Sequence, residues 1–243
     1  RFNFFKLYRR SHTAFAGALG SGVVMGGFWG LGAIYALAQT HDAGFVPTFI
    51  AADIIGGALA QYPIGMASDR IDRRYVLAAL CAASGLSAFG LLLADSREAL
   101  LLGAFSFGAF ANSLYAVSLA KAADNSKREE FVTIGSSVLL LNALGSAGSS
   151  LIIGWAMRGM GDSALFVFLG VASVVTGIFI IFQPPGRTAV TIEEQGAFIP
   201  TTSAMAPAVF DQDPRSDEEV EYEPVAPIES ELDPSSEPAD VST

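Results

Sequence analysis

The chain has 243 residues, 51% of them hydrophobic and only 16% charged, with a formal net charge of −10. A soluble domain carries roughly 25% charged residues, so the composition argues against an ordinary water-soluble fold. Residues 1–183 hold 12 Lys/Arg against 10 Asp/Glu, whereas residues 184–243 hold 2 against 14; the acidity belongs to the tail, so the acidic balance itself says nothing of a nucleic-acid or substrate site, and no nucleic-acid partner is expected.

The chain opens on a polar segment, Arg1–Ser11, carrying Arg1, Lys6, Arg9 and Arg10. It starts at Arg1 and shows no signal peptide ahead of its first apolar run, as expected of a processed chain or a piece of a longer one. Six apolar stretches follow, at 13–38, 45–67, 75–94, 99–120, 131–157 and 164–182. Each is about 19 residues or longer, enough to cross a hydrocarbon core of ~30 Å as a helix rising ~1.5 Å per residue. The runs are continuous and lack the alternation of membrane strands, so helices are predicted. In the first, Gly22, Gly26 and Gly30 form small-xxx-small steps that suit close helix packing. Asp53, in the second, is the one acidic or basic residue inside any of the six.

The connections differ in charge. If the spans alternate, 12 of the 14 Lys/Arg residues fall on one side, and only Arg97 and Arg158 on the other. This positive-inside bias predicts that both termini are cytoplasmic. Beyond Pro184–Pro185, Pro, Glu, Asp, Ser and Thr dominate, and the segment cannot bury enough surface to offset its ordering entropy. The expected organisation is therefore a cytoplasmic segment at 1–12, a six-helix transmembrane domain at 13–183 and an acidic disordered cytoplasmic tail at 184–243.

Cofactor and metal chemistry are not expected. The single cysteine, Cys81, can make neither an intrachain disulfide nor a paired-cysteine zinc site, and His12 and His41 lie far apart. No nucleotide-binding loop or Ser/His/Asp arrangement is visible.

The most specific local signal is the string Gly65-Met66-Ala67-Ser68-Asp69-Arg70-Ile71-Asp72-Arg73-Arg74 between the second and third spans. Gly65 permits close helix approach, Asp69 is placed to accept from a helix N-terminus, and Arg70, Arg73 and Arg74 are placed to pair with acidic groups at neighbouring helix ends. Such a latch can form in one conformation and break in another. A plain basic loop explains the arginines but not the whole string.

At this string the chain resembles the major facilitator superfamily of secondary transporters. The family pattern is Gly-x-x-x-Asp-Arg/Lys-x-Gly-Arg-Arg/Lys; Gly65, Asp69, Arg70, Arg73 and Arg74 match it, and Asp72 replaces the inner Gly. Pro63 before the string, Gly145 and Gly148 in the fifth span, and the phrases 27–36 and 118–141 extend the likeness, although Ser149 stands where the family often has Pro. The resemblance implies an all-α membrane protein whose six transmembrane helices form a half bundle of two inverted three-helix repeats, more like the C-terminal half. It further implies the lipid bilayer, a small-molecule substrate and a second six-helix half as partners. That half would be part of the same polypeptide, a separate chain or a second copy.

Asp53 invites two readings that stay open. An intramembrane acid is costly, so it faces protein or water, and Gly56, Gly57, Ala60 and Ile64 share its broad helical face. It is either a proton-coupling carboxylate or a structural acid bonded to a neighbouring helix. The resemblance also places Trp29, Tyr35, Gln61, Asn112, Tyr115 and Asn142 near a substrate cavity, although each alone reads more simply as an interhelical or interface residue. The function expected is transport of a small solute by alternating access, proton-coupled in one reading. The alternative is a non-transporting membrane protein acting through its acidic tail, and an intramembrane enzyme is disfavoured.

Overall fold

The computed structural model describes residues 8, 11–124 and 131–183. The acidic tail, Lys127–Arg128 and most of the N-terminal basic segment lie outside the described residues. Six long helices make up the described body: α1 His12–Thr40, α2 Phe45–Arg70, α3 Arg73–Leu91, α4 Arg97–Asp124, α5 Phe131–Met160 and α6 Ala164–Phe182. There is no strand among the described residues. All six helices are long and apolar enough to cross a membrane.

Helix ends differ from the apolar windows by a few residues because capping is polar. Ser11 accepts from the Ala14 N–H at 3.1 Å and starts α1, and Ser96 does the same for Ala99 at 3.1 Å before α4. α3 begins at Arg73 because the Asp72 carboxylate accepts from the Arg74 N–H. It stops at Leu91, so residues 92–94, predicted as helix, form the turn into α4. α5 runs three residues past its apolar window. It stops at Gly161, whose φ of 83° is the left-handed turn glycine adopts without strain.

The packing is two-fold. α1 lies along α5 as α2 lies along α4, α3 lies along α6, and α1 meets α4 at the centre. Since α1–α3 crosses three times, α4–α6 starts from the opposite side, so the two three-helix units are inverted relative to one another.

The glycines show the correspondence residue by residue. A Cβ on Gly22 of α1 would strike the backbone carbonyl of Asn142 on α5, and one on Gly108 of α4 would strike that of Asp53 on α2. On the facing helices, Gly145 sits against the Leu19 carbonyl and Gly56 against that of Phe105. Gly26 faces Ser146 as Asn112 faces Gly57. An offset of 86 relates α1 to α4, and one of 89 relates α2 to α5, through all these contacts. Between α3 and α6 the offset is 92: Gly85 packs on the Gly170 carbonyl and Ser173, and Gly177 on Ala78 and Cys81.

The two ends of the bundle are filled differently. At the α1–α2 loop end, Phe28, Phe49, Phe107 and Phe166 cluster with Tyr35, the Phe28–Phe107 ring centroids lying 5.3 Å apart. At the other end, Ala14, Ala18, Ile134, Val138 and Leu141 surround Tyr115. Under the repeat, Phe45 and Phe49 correspond to Ile134 and Val138.

These contacts predict a contrast. Gly22→Val or Gly108→Val lowers stability by about 2–3 kcal/mol or more in detergent melting, because a backbone carbonyl cannot give way. Gly154→Ala, where no atom lies within 4 Å, is neutral or stabilises by up to ~1 kcal/mol.

Candidate functional site

The loop between α2 and α3 builds an ionic cage around Arg73, a large side chain only 1% exposed. Arg73 begins α3, so its side chain turns back beneath α2 and across to the end of α4. Its Nε donates to Ser68 Oγ at 3.2 Å. One terminal nitrogen donates to the Ala120 carbonyl at 3.0 Å and to Asp124 Oδ1 at 2.5 Å. The other donates to Asp69 Oδ1 at 3.1 Å. A guanidinium is suited to this because its fork fixes several donors in one plane. The cage ties the end of α2, the start of α3 and the end of α4 into one block, and Gly65, about one turn before Ser68, is buried.

Arg74 reaches the other way. Its Nε donates to the Ile180 carbonyl at 3.1 Å and a terminal nitrogen to that of Ile181. It therefore satisfies carbonyls that the end of α6 leaves over and sits at the negative end of that helix. Arg70 is exposed at the end of α2. The N-cap of α3 is Asp72, which occupies the position of the pattern's inner Gly; Asp69, placed by sequence at a helix N-terminus, takes the Arg73 guanidinium. Asp72 also receives Lys121 Nζ at 3.2 Å. Burial alone would raise its pKa, but the Arg74 N–H bond and the Lys121 and Arg74 charges outweigh it and hold the carboxyl below its ordinary value.

Asp53 lies in the α2–α4 crossing, fully buried. The Asn112 amide donates at 3.3 Å both to its Oδ2 and to its backbone carbonyl. Its Oδ1 has no hydrogen-bond partner among the described residues. The glycines sharing its face, Gly56 and Gly57, seat α4.

The remaining candidates do not converge on one point. Tyr35 is buried at the aromatic end and donates to the Leu91 carbonyl at 3.0 Å. Tyr115 is buried in the aliphatic cluster at the opposite end. Asn142 is buried in the α1–α5 crossing, donating to Ser21 Oγ at 2.9 Å and the Ala18 carbonyl at 3.4 Å. Trp29 is half exposed, and Gln61 partly so. Sequence reasoning missed Asp124, Lys121, Ser68 and Ser21. The available signal was an acid and a lysine closing the fourth span on the side where the arginines lie.

Comparison with known proteins decides the family. The profile described as Major Facilitator Superfamily matches residues 15–225. The chain belongs to the Major Facilitator Superfamily. It is also similar to the uncharacterized MFS-type transporter YcaD of Escherichia coli O139:H28 (strain E24377A / ETEC), 25% identical over 180 residues that make up 74% of this chain and 46% of the relative. The same figures hold for YcaD of Escherichia coli O9:H4 (strain HS). The chain thus spans about half the length of the curated relatives it matches. Family membership and six spanning helices make it a multi-pass integral membrane protein, and the lipid bilayer its surroundings.

Two outcomes follow for the cage. Arg73→Ala leaves Asp124, whose side chain is 3% exposed, without its guanidinium, and lowers detergent stability by about 3–5 kcal/mol, read by thermal melting. Because the Asp72 pKa is lower folded than unfolded, its contribution is complete above the unfolded value of about 4 and is lost as pH falls through the folded value. Melting temperature followed into acid therefore declines less steeply for Asp72→Asn than for the parent chain.

Proposed function

We propose that the chain is one half of a secondary transporter, which moves a small solute by rocking against a second six-helix unit in a bacterial inner membrane. The Arg73 cage carries this reading. It gathers three helix ends into a block whose partly open rim, Asp69 and Asp72, holds charges that water can replace, as a latch that closes and opens with each cycle must have. In this reading Gly65, Asp69, Arg70, Arg73 and Arg74 form the latch, and Asp53 carries a coupled proton. Trp29, Tyr35, Gln61, Asn112, Tyr115 and Asn142 serve the solute path directly or through the packing behind it. The chain performs no covalent chemistry, both termini are cytoplasmic, and residues 1–12, 13–183 and 184–243 are the segment, transmembrane domain and tail expected from sequence.

A second unit is supported by α5. Gly148 lies in the middle of this helix with no atom within 4 Å of where its Cβ would stand, and a glycine there costs the helix ~1 kcal/mol relative to alanine. The outward side of the same helix carries exposed Leu144, Leu151 and Trp155. Another helix passing close to Gly148 accounts for both. The second unit is either part of the same polypeptide, a separate chain or another copy.

The test is uptake of a broad solute panel into proteoliposomes under a proton gradient, by this chain and by the chain extended with the sequence encoded ahead of it. Uptake by either form, lowered at least tenfold by Gly148→Leu with no change in melting temperature of the six-helix unit, is the expected result. Uptake by neither form, together with a signalling defect on deleting the tail, would replace transport by the regulatory alternative.

A further inference from the structure

The two halves of the repeat place different chemistry in the same crossing. In α5 on α1, Asn142 stands against Gly22, and its amide nitrogen donates to Ser21 Oγ and the Ala18 carbonyl. In α2 on α4, Asp53 stands against Gly108 in the same backbone setting. Here a carboxyl replaces the amide, and only one of its oxygens is bonded, to Asn112.

Nothing nearby offers the carboxyl a charge. α4 has no acid or base between Glu98 and Lys121, and its Tyr115 is buried in the aliphatic cluster. α1 has no Asp, Glu, Lys or Arg, its His12 stands at the first residue of the helix, far along the chain from the aromatic end, and its Tyr35 is engaged at Leu91. On α2, Tyr62 is exposed, and Asp69 and Arg70 lie at the cytoplasmic end in the topology proposed above. On α3, Arg73 and Arg74 are committed to the cage and to α6, Tyr75 is exposed, and Cys81 packs on Gly177. An ionised carboxyl in this place therefore has one amide donor and an oxygen facing closed packing, and it gains donors only if water enters.

Water can enter if α2 moves, and α2 is built to move there. Its far end is held in the cage by buried Ser68, which accepts from Arg73 Nε, as well as by Asp69. Between the two points stands Pro63, which lacks the N–H that would bond the Leu59 carbonyl. The stretch bearing Asp53 can thus swing away from α4 while the caged end stays in place.

We propose that Asp53 makes the α2–α4 crossing a proton-operated joint: protonated, it leaves α2 seated on α4, and on losing its proton it unseats α2 at Pro63 while the α1–α5 crossing stays closed. This rests on the proton-coupled reading above and names the element that the proton moves.

The experiment is hydrogen–deuterium exchange of the full chain in lipid nanodiscs over a pH series, each rate divided by the chemical exchange rate at that pH. In the parent chain, protection in 49–63 and 101–116 falls roughly tenfold or more from mildly acidic to mildly alkaline pH, as expected of a local opening, while 15–27 and 138–152 hold. Asp53→Asn, which installs the residue of the mirror crossing, keeps 49–63 protected throughout. Asn142→Asp transfers the sensitivity to 138–152. The joint is refuted if the parent chain shows no such fall, if the fall survives Asp53→Asn, if both crossings respond alike, or if Asn142→Asp leaves 138–152 protected. Because the readout needs no solute, a chain that transports nothing can still show the joint, and a proton-coupled transporter with a rigid crossing refutes the joint alone.

Discussion

Backbone resting on backbone is the contact on which the rest of this bundle depends. Between helices in lipid there is no hydrophobic driving force of the kind found in water, so association depends on how closely surfaces fit. At Gly22, Gly56, Gly108 and Gly145 the missing Cβ lets a helix lie directly on a neighbour's carbonyls. The four glycines belong to two crossings related by the internal repeat, so one geometric solution is used twice. Everything else is hung on that frame: the aromatic cluster fills one end, the aliphatic cluster the other, and the polar residues occupy the few places where the frame leaves room.

The cage at the α2–α3 loop follows different physics. Arg73 is buried, but Asp69 and Asp72 beside it are partly open to water. Charges there are cheap to separate compared with a pair sealed in hydrocarbon, because solvent can take over their hydrogen bonds. The same loop therefore combines a rigid centre with an exchangeable rim. The Asp that replaces the family's inner Gly fits this division: it starts α3 and anchors Lys121 without touching the buried guanidinium's own ligands.

The span count was legible because each apolar run exceeds the membrane's thickness and the basic residues separate cleanly between alternate connections. Asp53 stood out for the same reason, being the single acid in a sea of apolar residues, and Gly56 and Gly57 were readable as its neighbours from helical periodicity. Partners were not legible. Arg73 meets Asp124 across 51 positions and Asp53 meets Asn112 across 59, distances that no local period encodes. The repeat was hidden too, since its corresponding pairs, Asp53 with Asn142 or Gly26 with Asn112, share a place in space and little chemistry. Helix ends were missed by a few residues where Ser11, Asp72 and Ser96 add polar caps outside the apolar windows.

The α3–α6 contact has a practical side. Cys81 is the chain's only cysteine, and it is fully buried where Gly177 of α6 lets the helices close over it. A maleimide or spin-label reagent meets no native thiol on the folded protein. These 243 residues thus serve as their own background free of accessible thiols, and single reporter sulfurs can be placed along α2 or α5 without first disturbing a helix contact to silence the one already there.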